Sequence, residues 1–116
     1  MINVPFSAQI RQQTGLSIID LHGEVNNLAD QQLNEAYQEV VREDPKTIVL
    51  NFSNVTYINS TGIALIVGLL AEAHKAHRRL VVYGLSDHYL EIFNITRLSD
   101  FMTIYADETS VLSELK

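Results

Sequence analysis

The chain has 116 residues, 47% of them apolar and 19% charged, proportions that exclude disorder and fit one domain; at this length it buries roughly 65% of its unfolded surface. Its net charge of −6, with basic residues gathered only at Lys75, His77, Arg78 and Arg79, argues against nucleic-acid binding, which needs a basic face. The lack of cysteine excludes disulfides, thiolate metal sites and a cysteine nucleophile, and suits the reducing cytoplasm.

Taken in order, Met1 to Gln13 lacks the basic and long apolar stretches of an export signal, so a soluble, unexported protein with no direct membrane insertion is expected. Phe6 to Gln13 alternates loosely and meets Gly15, as an edge strand turning into its neighbour would. Leu16 to His22 is a second strand, closed by Gly23, and the loop Glu24 to Asn27 leads into a helix. From Leu28 to Arg42, Leu33, Ala36, Tyr37, Val40 and Val41 recur at helical spacing, which predicts one face on a sheet and one in water. Pro45 should end this helix, having no N–H to donate and restricting Asp44.

Thr47-Ile48-Val49-Leu50-Asn51-Phe52 is apolar and β-branched without alternation, the pattern of a strand buried on both faces of a parallel sheet. Ile63 to Ala73 is too long for such a strand and reads as a helix. Between them Asn59-Ser60-Thr61-Gly62 places two hydroxyls and a glycine where that helix begins. Leu80 to Gly84 is the next strand, and Ser86 caps a helix carrying Tyr89, Ile92 and Phe93. Phe101 to Tyr105 is the last strand, and Asp107 to Leu115 a short helix with the stripe Val111, Leu112 and Leu115. Strands alternating with helices predict an α/β fold: a mixed, mostly parallel sheet covered by helices, in a single domain spanning 1–116.

At 100° per residue, Ala64, Gly68, Ala71 and Lys75 share one face of the central helix and Ile66, Leu69, Leu70 and Ala73 the opposite one. The large face is core. The small face has two readings, a flat docking surface for another protein or close packing within the chain itself. Ser60 also has two: a cap accepting a first-turn N–H, or a site where an added phosphoryl group meets the positive end of a helix.

Other chemistry finds little support. A hydrolase nucleophile elbow needs glycine two residues before the serine, where Ile58 stands. His22, His74, His77 and His88 have no triad spacing, and His74 with His77 lacks a third metal ligand, so no metal is expected. There is neither a P-loop nor a dinucleotide glycine pattern. Asp20, Glu24 and Asp87 read as scattered, solvated acids rather than an acid–base pair. No enzyme and no cofactor are expected.

The run Asn51-Phe52-Ser53-Asn54-Val55-Thr56-Tyr57-Ile58-Asn59-Ser60-Thr61-Gly62-Ile63-Ala64 resembles the signature of STAS domains, D-x-S/T-x-V-x-x-I/M-D-S-S/T-G opening into an apolar helix. Gly23-Glu24-Val25-Asn26 matches the family's G-E-L/I-D turn, and Asn94 to Leu98 its L-T-G-L segment, so the resemblance covers about Leu16 to Leu115. It implies an anti-sigma factor antagonist. Such a protein binds an anti-sigma factor that is also a serine kinase and itself holds the ATP; phosphorylation of the serine, here Ser60, ends binding, and a serine phosphatase restores it. On that reading Asn26, Asn59, Thr61 and Gly62 neighbour the phosphosite, and Ala64, Gly68, Ala71 and Lys75 form the partner surface. Asn26 and Asn59 stand where the family has Asp, which removes charge but keeps hydrogen-bonding reach. They favour an alternative, a STAS accessory subunit of a signalling scaffold or membrane transporter with no phosphorylation cycle. The sigma factor and the oligomeric state are not encoded in any motif.

Overall fold

The computed structural model describes residues 4–13 and 15–115, so residues 1–3 of the segment read for an export signal lie outside the described residues. Five strands form one sheet in the order β1-β2-β3-β4-β5: Ser7–Gln13, Leu16–Val25, Thr47–Ile58, Arg79–Tyr83 and Thr103–Tyr105. The hairpin β1–β2 is antiparallel, and every later pairing is parallel. The helices are α1 (Asp30–Val41), α2 (Ser60–Lys75), α3 (Asp87–Ile95) and α4 (Glu108–Leu115). Right-handed crossovers between strands added in sequence order put the connecting helices on one side. The apolar clusters agree. Leu33 and Val40 of α1, Ile66 and Leu69 of α2 and Phe93 of α3 pack with Ile19, Leu50 and Val82 on one face. Val111 of α4 packs with Ile18, Val49, Val81 and Tyr83 on the other. The expected α/β architecture is present, with the central strand buried on both sides: Ile48, Val49 and Leu50 are wholly inaccessible.

Several boundaries differ from the sequence reading, each for a physical reason. β2 does not close at Gly23 but runs on to Val25, because Gly23 takes a left-handed φ of +82° and leaves room for the carbonyls of Val4 and Pro5, where a side chain would collide. Glu24 and Val25 are therefore strand, not loop. The segment from Leu28 begins as a 3-10 turn, Asn27–Ala29, before α1, and Leu28 itself points into solvent. α1 ends at Val41, short of Pro45: Asp44 takes φ +50° and its carboxylate accepts from Arg78 at 2.8 Å. Arg78 also donates to the carbonyl of Pro45, which ties the bend to the far end of α2.

β3 continues six residues beyond Phe52, and α2 starts at Ser60 rather than Ile63, running past Ala73 to Lys75. Phe101 is exposed and outside β5, which starts only at Thr103 after a 3-10 turn at Leu98–Asp100. Arg97, standing where the L-T-G-L pattern has glycine, adopts a left-handed φ of +66° and holds it with a 2.8 Å ion pair to Asp100. Among the described residues, no helix is long and apolar enough to cross a membrane.

Candidate functional site

The site is built where β3 outruns its neighbour. β3 pairs with β4 only from Thr47 to Asn51, but with β2 as far as the Val25–Ile58 register. Past Asn51 it therefore has one strand partner, and side chains supply hydrogen bonds along its other edge. The Asn51 side-chain carbonyl accepts from the Ser53 N–H at 2.9 Å. The Tyr89 hydroxyl accepts from the Ile58 N–H at 2.8 Å and donates to the Ile58 carbonyl at 3.4 Å. The overhang then turns into α2: the Asn59 N–H donates to the Val25 carbonyl at 3.2 Å, and Asn59 stays extended.

Asn59, not Ser60, caps the helix. Its Oδ1 accepts from the Gly62 N–H at 2.8 Å, and its backbone carbonyl accepts from Ile63 at 3.0 Å. This corrects the capping reading of Ser60. Ser60 is the first helical residue and exposed, and its hydroxyl is free of the capping task. The amides of Ser60 and Thr61 precede the first intrahelical bond, so they are among the donors a helix start leaves over. No acidic residue lies in this first turn. Asn26 plays the matching part on β2, accepting from the Leu28 N–H at 2.9 Å. Since Val25 bonds Asn59, the two asparagines border each other across the ends of β2 and β3. Gly62 is buried against that junction, and a Cβ there would strike the Val25 carbonyl. Its smallness is required by close approach.

The structure thus gathers Asn26, Asn59, Ser60, Thr61 and Gly62 at one corner. Close packing within the described chain is not what α2's small face does. Ala64, Gly68, Ala71 and Lys75 are exposed, and a Cβ on Gly68 would meet nothing within 4 Å, so this face packs against no other part of the described chain. Ile66, Leu69, Leu70 and Ala73 are buried, as the periodicity requires. The sequence reading missed Val67, which is 43% exposed and lies between Ala64 and Ala71 on the same face. The same 100° arithmetic would have found it. Leu28 and Tyr57, 78% and 50% exposed, add apolar surface at this end of the sheet, a feature hidden because neither belongs to a periodic run.

The acids tell a different story from the sequence. Asp20 is not a solvated, scattered acid: both its oxygens accept from Arg11, at 2.7 and 2.9 Å, and Oδ1 also from Asn51 at 2.7 Å. The same guanidinium reaches both oxygens of Glu108 on α4, at 2.7 and 3.1 Å, and the Tyr83 hydroxyl donates to Glu108 at 2.8 Å. Burial pushes the Asp20 carboxyl up, but the hydrogen bonds from Arg11 and Asn51 outweigh it and hold the group below its usual range. Glu108 is held low by Arg11 and Tyr83; burial, with Glu108 adding to it, drives the Tyr83 hydroxyl upward. Through Arg11 and Tyr83 the cluster fastens α4 to the sheet. His74 is on the same helix as Ser60 but fourteen positions on, about 21 Å at 1.5 Å per residue, too far to act as its base. Among the described residues no group of three His, Cys, Asp or Glu is placed to hold a metal.

The pattern of the STAS domain family matches residues 7–111. The anti-sigma-B factor antagonist of Staphylococcus aureus (strain NCTC 8325 / PS 47) is 30% identical over 86 residues, 74% of this chain and 80% of that protein. An anti-sigma factor antagonist from Mycobacterium paratuberculosis superposes with a TM-score of 0.83 over 98% of both chains at 18% identity. The Bacillus cell fate determinant SpoIIAA in its phosphorylated form superposes with a TM-score of 0.74 over 95% of this chain and all of that one, at 20% identity. The chain belongs to the STAS domain family and, within it, to the anti-sigma factor antagonists.

Proposed function

We propose that this protein binds an anti-sigma factor that is also a serine kinase, that the kinase phosphorylates Ser60, and that the phosphate ends the binding until a serine phosphatase removes it. The kinase holds the ATP, and the antagonist contributes no catalytic group. The observation that carries the reading is the division of labour at the start of α2: Asn59 makes the cap, which leaves Ser60 exposed beside the open face Ala64, Val67, Gly68 and Ala71. A phosphate on Ser60 would stand at the rim of that face, opposed by no carboxylate in the first turn, and its charge would disrupt an apolar contact by repulsion and desolvation. The phosphorylated form of the Bacillus relative supports the same chemistry. Asn26 and Asn59 make capping bonds that Asp would also make, so the missing charges leave the corner's geometry intact.

The test is intact-protein mass spectrometry after incubation with the cognate kinase and ATP, together with binding isotherms. Wild type should gain one phosphate and Ser60→Ala none. Ser60→Ala should bind persistently, and Ser60→Asp weakly. Gly68→Glu should lose binding while its melting temperature stays near that of wild type, since the added side chain enters open space. Wild type that gains no phosphate, with Ser60→Asp binding as well as wild type, replaces this reading with an accessory STAS subunit.

A further inference from the structure

Between the β3 overhang and α3 lies a cavity of about 280 Å³, lined by Phe52, Ser53, Val55, Ile58, Gly84 and Tyr89 among others. It exists because β4 stops at Tyr83 and Gly84, at φ +83°, turns the chain away while β3 runs on. The strand edge facing it would lose its hydrogen bonds to solvent or to nothing. One side chain crosses to that edge near its end: the Tyr89 hydroxyl, which meets both the N–H and the carbonyl of Ile58. Only a group that accepts and donates at once can do both, and a phenol does.

Tyr89 is itself fixed. The Ser86 side chain accepts from its backbone N–H at 3.3 Å, setting the first turn of α3, and its ring packs edge-on against His88 with centroids 4.9 Å apart. Ile58 is two residues before Ser60, and the residue between them is the Asn59 cap.

We infer that Tyr89 is a positioning residue for Ser60: its hydroxyl ties the free edge of β3 to α3 and so holds the Asn59–Ser60 corner in the geometry that the kinase partner engages. This rests on the reading of Ser60 as the phosphoacceptor. β2 holds the other edge of β3 as far as Ile58, but on the β4 side no strand backs the tie among the described residues, and the cavity gives water a route to Ile58 once the hydroxyl is gone.

Tyr89→Phe removes the oxygen and keeps the ring. Amide exchange of the free protein, followed by NMR, should be faster at Ile58, Asn59 and Gly62 by about five- to tenfold, the scale of one lost hydrogen bond, while amides of Ile48 to Leu50 exchange as in wild type. With the cognate kinase and ATP, KM for the antagonist should rise about fivefold with kcat unchanged, the signature of a substrate segment that must be ordered on binding. Leu112→Ala on α4, across the sheet, is the control for general loss of stability: it should leave exchange at Ile58 and the kinase KM alone. Unchanged exchange at Ile58 and Asn59 in Tyr89→Phe overturns the tie. A change of equal size in Leu112→Ala also overturns it, since the effect would then be global. Wild type that takes up no phosphate overturns the reading of Ser60 instead, and the exchange result still decides whether Tyr89 orders the corner.

Discussion

The two halves of β3 are built on different terms. From Thr47 to Asn51 the strand has a neighbour on each side and apolar cover above and below, and Ile48, Val49 and Leu50 see no solvent. From Ser53 to Ile58 it has one neighbour and mostly exposed side chains, and individual contacts from Asn51, Tyr89 and Val25 hold its path. The first half is secured by area, which tolerates little change but needs no particular atom. The second is secured by single hydrogen bonds and one close approach, so its shape can be altered without unfolding the domain. A surface that must be read by a partner belongs on the second kind of structure, anchored to the first.

The sharpest way to break the contrast is at its buried end. Leu50→Ala opens a cavity in the larger core and should cost about 2–5 kcal/mol in urea unfolding; a loss under ~1 kcal/mol would mean that area is not what secures this half. Gly62→Ala comes next. The new methyl meets the backbone oxygen of Val25, which cannot rotate away, so strain of about 1–3 kcal/mol is expected, with the chemical-shift changes concentrated at Val25, Asn26 and the start of α2. Asn59→Ala removes the cap and should cost about 0.5–2 kcal/mol, whereas Asn59→Asp should be close to neutral in thermal melts, because the carboxylate can cap and suits the helix start.

The smallest effect belongs to the boundary between the halves, where Asn51 bonds Asp20. Asp20 and Glu108 are both held below their ordinary range, so as the pH falls the unfolded chain takes up protons first. Stability present above about pH 4 is lost as pH falls through the lower folded-state values. Urea midpoints measured between pH 7 and pH 3 should fall more gently in Glu108→Gln than in wild type.

What could be read from the sequence follows the same division. The buried half of β3 announces itself because continuous β-branched residues leave no other use for the segment, and the two faces of α2 follow from residue spacing alone. The overhang does not, because Ser53, Asn54 and Thr56 carry no strand pattern; it is a strand only because β2 extends beside it through Gly23. Which residue caps α2 was equally hidden, since Asn59 and Ser60 are both good caps and only the path of the chain chooses. The Asp20 cluster lay out of reach for another reason: its partners Arg11, Asn51, Tyr83 and Glu108 come from four separate elements.

That last cluster has a kinetic consequence. Strands β1 to β5 lie side by side in the order in which they occur in the chain, so each of the four pairings joins strands consecutive in sequence and closes a modest loop. The Arg11–Glu108 bridge, spanning 97 residues, requires the whole sheet to be in place before its ends can meet. On loop-closure grounds it is expected to form after the rate-limiting barrier rather than before it. Removing its charge, as in Glu108→Gln, should leave the refolding rates of a chevron unchanged and raise the unfolding rates, so this clasp would govern how long the folded molecule lasts and not how fast it is made.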